Sequence, residues 1–283
     1  MRFIFPVILL LLVTTSLAGE AWTLHSDISV SLTQSAFSNT WAGTELSNIT
    51  WVANSTTTAE KQLKPWLKNT NTLKLAFGQT HLQKTDALGE KYWEKPDKTT
   101  DKIDLESVLR FTTQGWVDPF LAGRMESQFL DLSQAETLIL NPLLFTETAG
   151  VIRTFVDTEQ DKLTGRLGAA LRENYRRIVN ADATTTVDGG LELVSEYRHI
   201  FKVPADSNFR SKLLVYQALF NSKSDQMNED WKSPDVVWEN VFTTKLFGMV
   251  SANLALELRY DKEQVHDLQW KQILSLGLSY SLF

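Results

Sequence analysis

The chain closes with QILSLGLSYSLF, residues 272–283, and this stretch decides the fold. Leu274, Leu276, Leu278, Tyr280 and Leu282 alternate with Ser275, Gly277, Ser279 and Ser281, and Phe283 follows as the final residue. A period of two places successive side chains on opposite faces of a strand, so one face here is aliphatic and the other polar. Residues 250–261, VSANLALELRYD, sharpen the contrast. Val250, Ala252, Leu254, Leu256, Leu258 and Tyr260 share one face, while Ser251, Asn253, Ala255, Glu257, Arg259 and Asp261 share the other. A strand with leucines on one side and a Glu and an Arg on the other belongs at a boundary between oil and water.

The same alternation recurs upstream. In 102–113 Ile103, Leu105, Leu109 and Phe111 oppose Asp104, Glu106 and Arg110. In 119–130 Leu121, Met125 and Phe129 oppose Arg124, Glu126 and Gln128. In 162–172 Leu163, Leu167, Ala169 and Leu171 oppose Thr164, Arg166 and Arg172. In 186–198 Val187, Leu191, Leu193 and Tyr197 oppose Asp188, Glu192, Glu196 and Arg198. Weaker versions occupy roughly 26–36, 47–58, 66–78, 148–157, 209–221 and 236–247. The pattern predicts an all-β protein: a transmembrane antiparallel up-and-down β-barrel of about twelve strands, each long enough to cross a tilted path through a bilayer. Links at 59–65, 114–118, 158–161, 200–208 and 247–249 are short. Those at 79–101, 131–147, 174–185 and 222–235 are long and polar, and 37–46 and 262–267 are modest. Short turns at one end and long loops at the other are a barrel's habit. Trp66, Trp116, Trp231, Trp238 and Trp270, with Phe120, Tyr260 and Tyr280, fall at or near strand ends, where aromatic girdles meet the two membrane interfaces.

The spacing of Ser275, Gly277, Tyr280 and Leu282 (polar-x-Gly-x-x-hydrophobic-x-hydrophobic) resembles the assembly signal on the last strand of such barrels. Gly277, Tyr280, Leu282 and Phe283 would present an open strand edge to the assembly machinery before closure. At the other end Arg2 precedes an apolar run, FIFPVILLLLV at 3–13, too short to span a bilayer as a helix. Ser16-Leu17-Ala18 supplies small residues at the positions a signal peptidase reads. Residues 1–18 are therefore expected to be a cleaved signal peptide, with a cut after Ala21 as second choice, and 19–283 a single barrel domain.

Composition narrows the function classes. The net charge of −6 offers no basic stripe for nucleic acid, and the absence of cysteine excludes disulfides, an N-terminal lipid-modified Cys and a thiol nucleophile. His25, His81, His199 and His266 have no second His or Cys at metal-ligand spacing, so neither metal nor cofactor is expected. A Ser-His-acid hydrolase site needs a His beside a Ser on one face, and His199 with Ser195 is the nearest approach to it. The remaining candidates are charges on the inward faces: Arg110, Arg124, Glu126, Arg166, Arg172, Glu192, Glu196, Arg198, Lys245, Glu257 and Arg259. They either line a pore that selects solutes by charge or pair across strands and fill a narrow lumen. The intermediate strand number favours pairing.

Several stretches, NTWAGTELSNITW (39–51), WLKNTNTLKLAFG (66–78), KTTDKIDLESVLRF (98–111), WENVFTTKLFGMVSANLALELRYD (238–261) and WKQILSLGLSYSLF (270–283), are similar to a Bacteroidota-type family catalogued as a domain of unknown function. The shared residues are structural: Trp41 and Gly43, Gly78, Asp101-Lys102-Ile103, Gly277 and Tyr280. The resemblance implies an outer-membrane barrel and carries over no catalytic residue.

The expectation is thus a non-enzymatic outer-membrane barrel of a Gram-negative bacterium, either a narrow solute channel or a structural or accessory component. Its partners would be outer-membrane lipid and, during biogenesis, periplasmic chaperones and the barrel-assembly machinery. A membrane-embedded hydrolase and a soluble secreted β-sandwich that binds a ligand are the alternatives.

Overall fold

In the computed structural model, which describes residues 21–38, 46–113, 115–203, 207–226 and 228–282, the chain is a closed ring of twelve long antiparallel strands. They are β1 (Thr23–Ser35), β2 (Asn48–Lys64), β3 (Leu67–Thr85), β4 (Asp97–Phe111), β5 (Asp118–Ser127), β6 (Leu143–Asp157), β7 (Asp161–Ile178), β8 (Ala181–Phe201), β9 (Ser207–Asn221), β10 (Asp235–Phe247), β11 (Val250–Asp261) and β12 (Val265–Leu282). Each strand pairs with its sequence neighbours, and β12 returns to β1, with Ser26 opposite Leu282 and Ser31 opposite Gly277. This circular order overturns the sandwich alternative, because the twelve strands close on themselves and, among the described residues, the other sheet is only a two-stranded hairpin at Leu130–Asp131 and Leu138–Ile139. The signal-peptide segment and Phe283 lie outside the described residues.

Pleating turns the sequence alternation into an inside and an outside. Leu274, Leu276 and Leu278 are 71%, 60% and 55% exposed on the outer surface, and Leu167, Leu191, Leu193 and Leu254 are likewise exposed there. Inward neighbours behave oppositely: Ser251 is 1% exposed and Glu192 3%. A protein folded in water hides its leucines and wets its carboxylates; this barrel does the reverse.

The outward aromatics gather toward the two ends of the strands. Trp51, Phe77 and Phe129 form a chain of ring contacts at 5.9 Å and 5.9 Å toward the end with the longer links. Tyr197, His199, Phe201, Phe209 and Phe242 form another toward the end holding both strand termini of the ring. Between them lies the aliphatic belt.

Four expectations need correction. The segment 174–185 is no loop: β7 and β8 run on as a hairpin joined through Val179 and Asn180, with Ile178 opposite Ala181. Within 79–101, β3 continues to Thr85 and pairs with a short strand, Lys91–Trp93. Phe120 is no girdle residue; it is 2% exposed and shares the inward face of β5 with Arg124. Trp231 sits in a 3-10 turn, Glu229–Lys232, within the β9–β10 link rather than at a strand end. Strands also run longer than a bilayer crossing requires, up to 21 residues in β8.

Candidate functional site

The inward charges meet in the middle of the lumen. Glu106 on β4 is the hub: Arg166 on β7 donates to its carboxylate, Arg124 Nη1 on β5 lies 3.6 Å away, and Lys212 Nζ on β9 lies 3.9 Å away. Arg124 also donates from Nη2 to Glu192 Oε2 at 2.6 Å and from Nε to Glu126 Oε2 at 3.1 Å. Thr148 Oγ1 donates to the other Glu192 oxygen at 3.3 Å, and Lys212 reaches Glu196 at 3.6 Å. Glu106, Arg124, Arg166 and Glu192 are buried, so these are ion pairs stripped of most of their water. Such pairs are costly to form and costly to break, since removing one partner strands a buried charge.

A second knot braces the lumen across its width. Glu239 on β10 accepts from Lys102 Nζ on β4 at 2.6 Å and Lys74 Nζ on β3 at 3.1 Å. Toward the long-link end, Arg172 donates to Asp235 at 2.7 Å and sits over the Tyr216 ring with Cζ 3.3 Å from its centroid, while the Tyr216 hydroxyl donates to Asp188. Toward the other end, Arg110 donates to Asp118 at 2.7 Å and Arg210 to Asp27 at 3.0 Å.

Small residues on one wall make room for these long side chains. Gly150 and Gly168 face each other across β6 and β7, and a Cβ built on Gly150 would lie 2.1 Å from the Leu167 carbonyl oxygen. Ala170 and Gly190 continue this flat inward strip. Phe120 fills the space in front of it and lies under the Arg166 guanidinium at 5.8 Å. A cavity of about 140 Å³ is lined among others by Lys102, Asp104, Arg124, Arg172, Asp235 and Glu239.

Of the residues singled out from sequence, the structure brings Arg124, Glu126, Arg166, Glu192 and Glu196 into one network and places Arg172 just beyond it. Arg110 pairs separately with Asp118, and Glu257 pairs with Arg259 at 3.0 Å. Lys245 and Arg198 are exposed toward the terminal end. Tyr280 is exposed outward, and Gly277 stands in the β1–β12 seam. Sequence reasoning put Asp104 and Glu106 on a polar face without choosing them, and missed Lys74, Lys102, Lys212, Asp235 and Glu239. The available signal was opposite charge at matching strand positions, as in Lys212 opposite Glu239. His199 does not partner Ser195. Its Nδ1 lies 2.7 Å from Asp161 Oδ1, which also accepts from the Tyr197 hydroxyl at 2.7 Å. Among the described residues no three His, Cys, Asp or Glu side chains gather as a metal site.

The fold and its lumen therefore define a closed antiparallel barrel with an apolar exterior and a charged, tightly paired interior. A family model described as a protein of unknown function (DUF3078) matches residues 32–131, which run from β1 to just past β5. No curated protein matches the chain. Among solved structures, the chain is similar to an outer-membrane channel from Pseudomonas putida F1, at 14% identity and a TM-score of 0.43, with 94% of this chain and 96% of that one covered. It is also similar to the translocator domain of the autotransporter NalP from Neisseria meningitidis, at 9% identity and a TM-score of 0.37, covering 92% and 87%. Neither likeness bears on what this chain does.

Proposed function

We propose that this chain is a non-enzymatic barrel of a Gram-negative outer membrane, of the Bacteroidota type its sequence resembles, whose lumen is shut at rest by its own salt bridges. One observation carries the reading: in a barrel wide enough to hold an opening, Arg124 and Glu192 keep side-chain exposures of only 4% and 2% at mid-lumen. The barrel then serves as a structural or accessory element, or as a narrow conduit that passes solute only when the network parts. The outer leucines and the two aromatic clusters support a lipid surround. Export behind residues 1–18, and insertion by the assembly machinery with periplasmic chaperones reading Gly277, Tyr280, Leu282 and Phe283, belong to the same proposal.

Planar-bilayer recording of the refolded protein tests it. The wild type is expected to carry no steady current, and replacing Arg124 and Arg166 together with Ser, which frees the hub, is expected to produce one. A large steady wild-type current would overturn the shut lumen, and an open pore would replace it.

A further inference from the structure

Below the shut zone, toward the end of the barrel where β1 begins and β12 finishes, three cations stand in line. Lys162 on β7 is directly opposite Arg198 on β8, and Arg198 is directly opposite Arg210 on β9. All three belong to the inward phase of their strands: Arg210 reaches Asp27 on β1 across the lumen, and strict alternation from buried Arg166 and Val194 puts Lys162 and Arg198 on the same side. Like charges directly opposite on neighbouring strands repel. Arg210 is offset by Asp27. Among the described residues the side chains of Lys162 and Arg198 make no hydrogen bond or ion pair, although Asp157 stands opposite Lys162 on β6. Glu196, the next inward carboxylate up β8, is drawn instead toward Lys212.

We infer that this lower vestibule binds a small phosphate-bearing anion, with Arg198 and Lys162 as its principal donors. The planar guanidinium of Arg198 offers two parallel N–H donors to a tetrahedral oxyanion, and the Lys162 ammonium adds a compact point charge. Arg210, half-committed to Asp27, closes the third side. The closed network above bounds the vestibule on one side, while Arg198 stays open to water at its mouth, where an anion can reach it. A bound anion would relieve the repulsion along the line, which gives the barrel a reason to keep these cations adjacent. The inference rests on the proposed lumen: if the inner face of β7–β9 met lipid, no anion could reach it.

The test uses the full refolded chain in detergent and inorganic phosphate as probe, titrated calorimetrically against chloride at matched ionic strength. The wild type is expected to bind phosphate saturably. Arg198→Ala and Lys162→Ala are each expected to bind about tenfold more weakly, equivalent to about 1.4 kcal/mol. Lys202→Ala, beyond the end of β8, is expected to bind like the wild type. Absence of saturable binding, or equal binding by all three variants, overturns the site. Because the chain has no cysteine, a single Cys placed at 198 in liposome-reconstituted protein reports its surroundings separately. Labelling by a membrane-impermeant maleimide shows an aqueous lumen. Quenching of a fluorophore there by lipid-borne nitroxides would sink the lumen reading itself, and with it this inference.

Discussion

Leu256 and Ala255 are adjacent in sequence and face different media. Leu256 is 36% exposed on the outside, and Ala255 lies opposite Val241 on the inner face. Arg in place of Leu256 should cost about 2–4 kcal/mol, the price of a guanidinium on the lipid face near mid-bilayer. Arg at Ala255 should cost far less, since its charge would meet the polar interior. Urea unfolding of both variants in lipid vesicles checks this, and equal losses would reverse the inside and outside of β11. The phase of β11 was legible because its two faces differ sharply. In β9 and β10 it was not: Lys212 and Glu239 share the inner face with apolar Leu214 and Val237, so no alternation fixes which way they point. Only the register pairs them. Phe120 misled for the opposite reason. The alternation of β5 already put it in phase with inward Arg124, and its place near a strand end suggested a girdle against that phase; Gly150, opposite it on β6, leaves the room its ring needs inside.

At the scale of elements, the β7–β8 hairpin shows where a strand becomes invisible in sequence. Beyond the membrane both faces meet water, so residues 174–185 carry Arg176, Arg177, Asp182 and two threonines with no apolar stripe. They stay paired because the ladder persists and because a neighbouring segment clamps them. Asn141, wholly buried, accepts from the Arg177 amide at 2.7 Å and donates to Asp131 at 2.6 Å, tying the 130–139 hairpin to this tip. Two amide and hydroxyl bonds from Ser133 and one from Asn141 outweigh the burial of the Asp131 carboxyl and hold it at about 2, below the usual carboxylate range. The turn itself depends on Asn180, whose φ of 59° lies in the left-handed region that Asn tolerates and β-branched residues do not. Asn180→Val should therefore destabilise the hairpin by about 1–2 kcal/mol, whereas Asn180→Gly should not. The difference should appear as faster amide exchange along Tyr175–Ala181 in the Val variant alone; matching exchange in both would mean the turn is set by the clamp and not by its own dihedral.

The whole molecule depends on one seam. The ladder between β1 and β12 runs from Ser26 opposite Leu282 to Ser31 opposite Gly277, shorter than the ladder between β1 and β2. At its inner end a Cβ on Gly277 would fall 2.4 Å from the Val30 carbonyl oxygen, closer than real side chains come. Gly277→Val should stop the ring from closing. On unheated gels it should run at the position of the unfolded chain, where the wild type runs as a compact species; a compact Gly277→Val would show that the seam yields. The sequence made Gly277 stand out through its spacing from Tyr280, but the reason for glycine is the approach of β1, a contact separated by most of the chain.

The salt bridge from β10 to both β3 and β4 has a mechanical consequence as well. A bare ring of strands resists stretching along its ladders yet flattens easily into an ellipse, because bending a sheet breaks no hydrogen bond. Lys74 and Lys102, holding Glu239 from the far wall, act as spokes. With spokes in place the cross-section keeps its shape under lateral pressure from the bilayer, and the stiffness of this barrel resides in its charged centre more than in its wall.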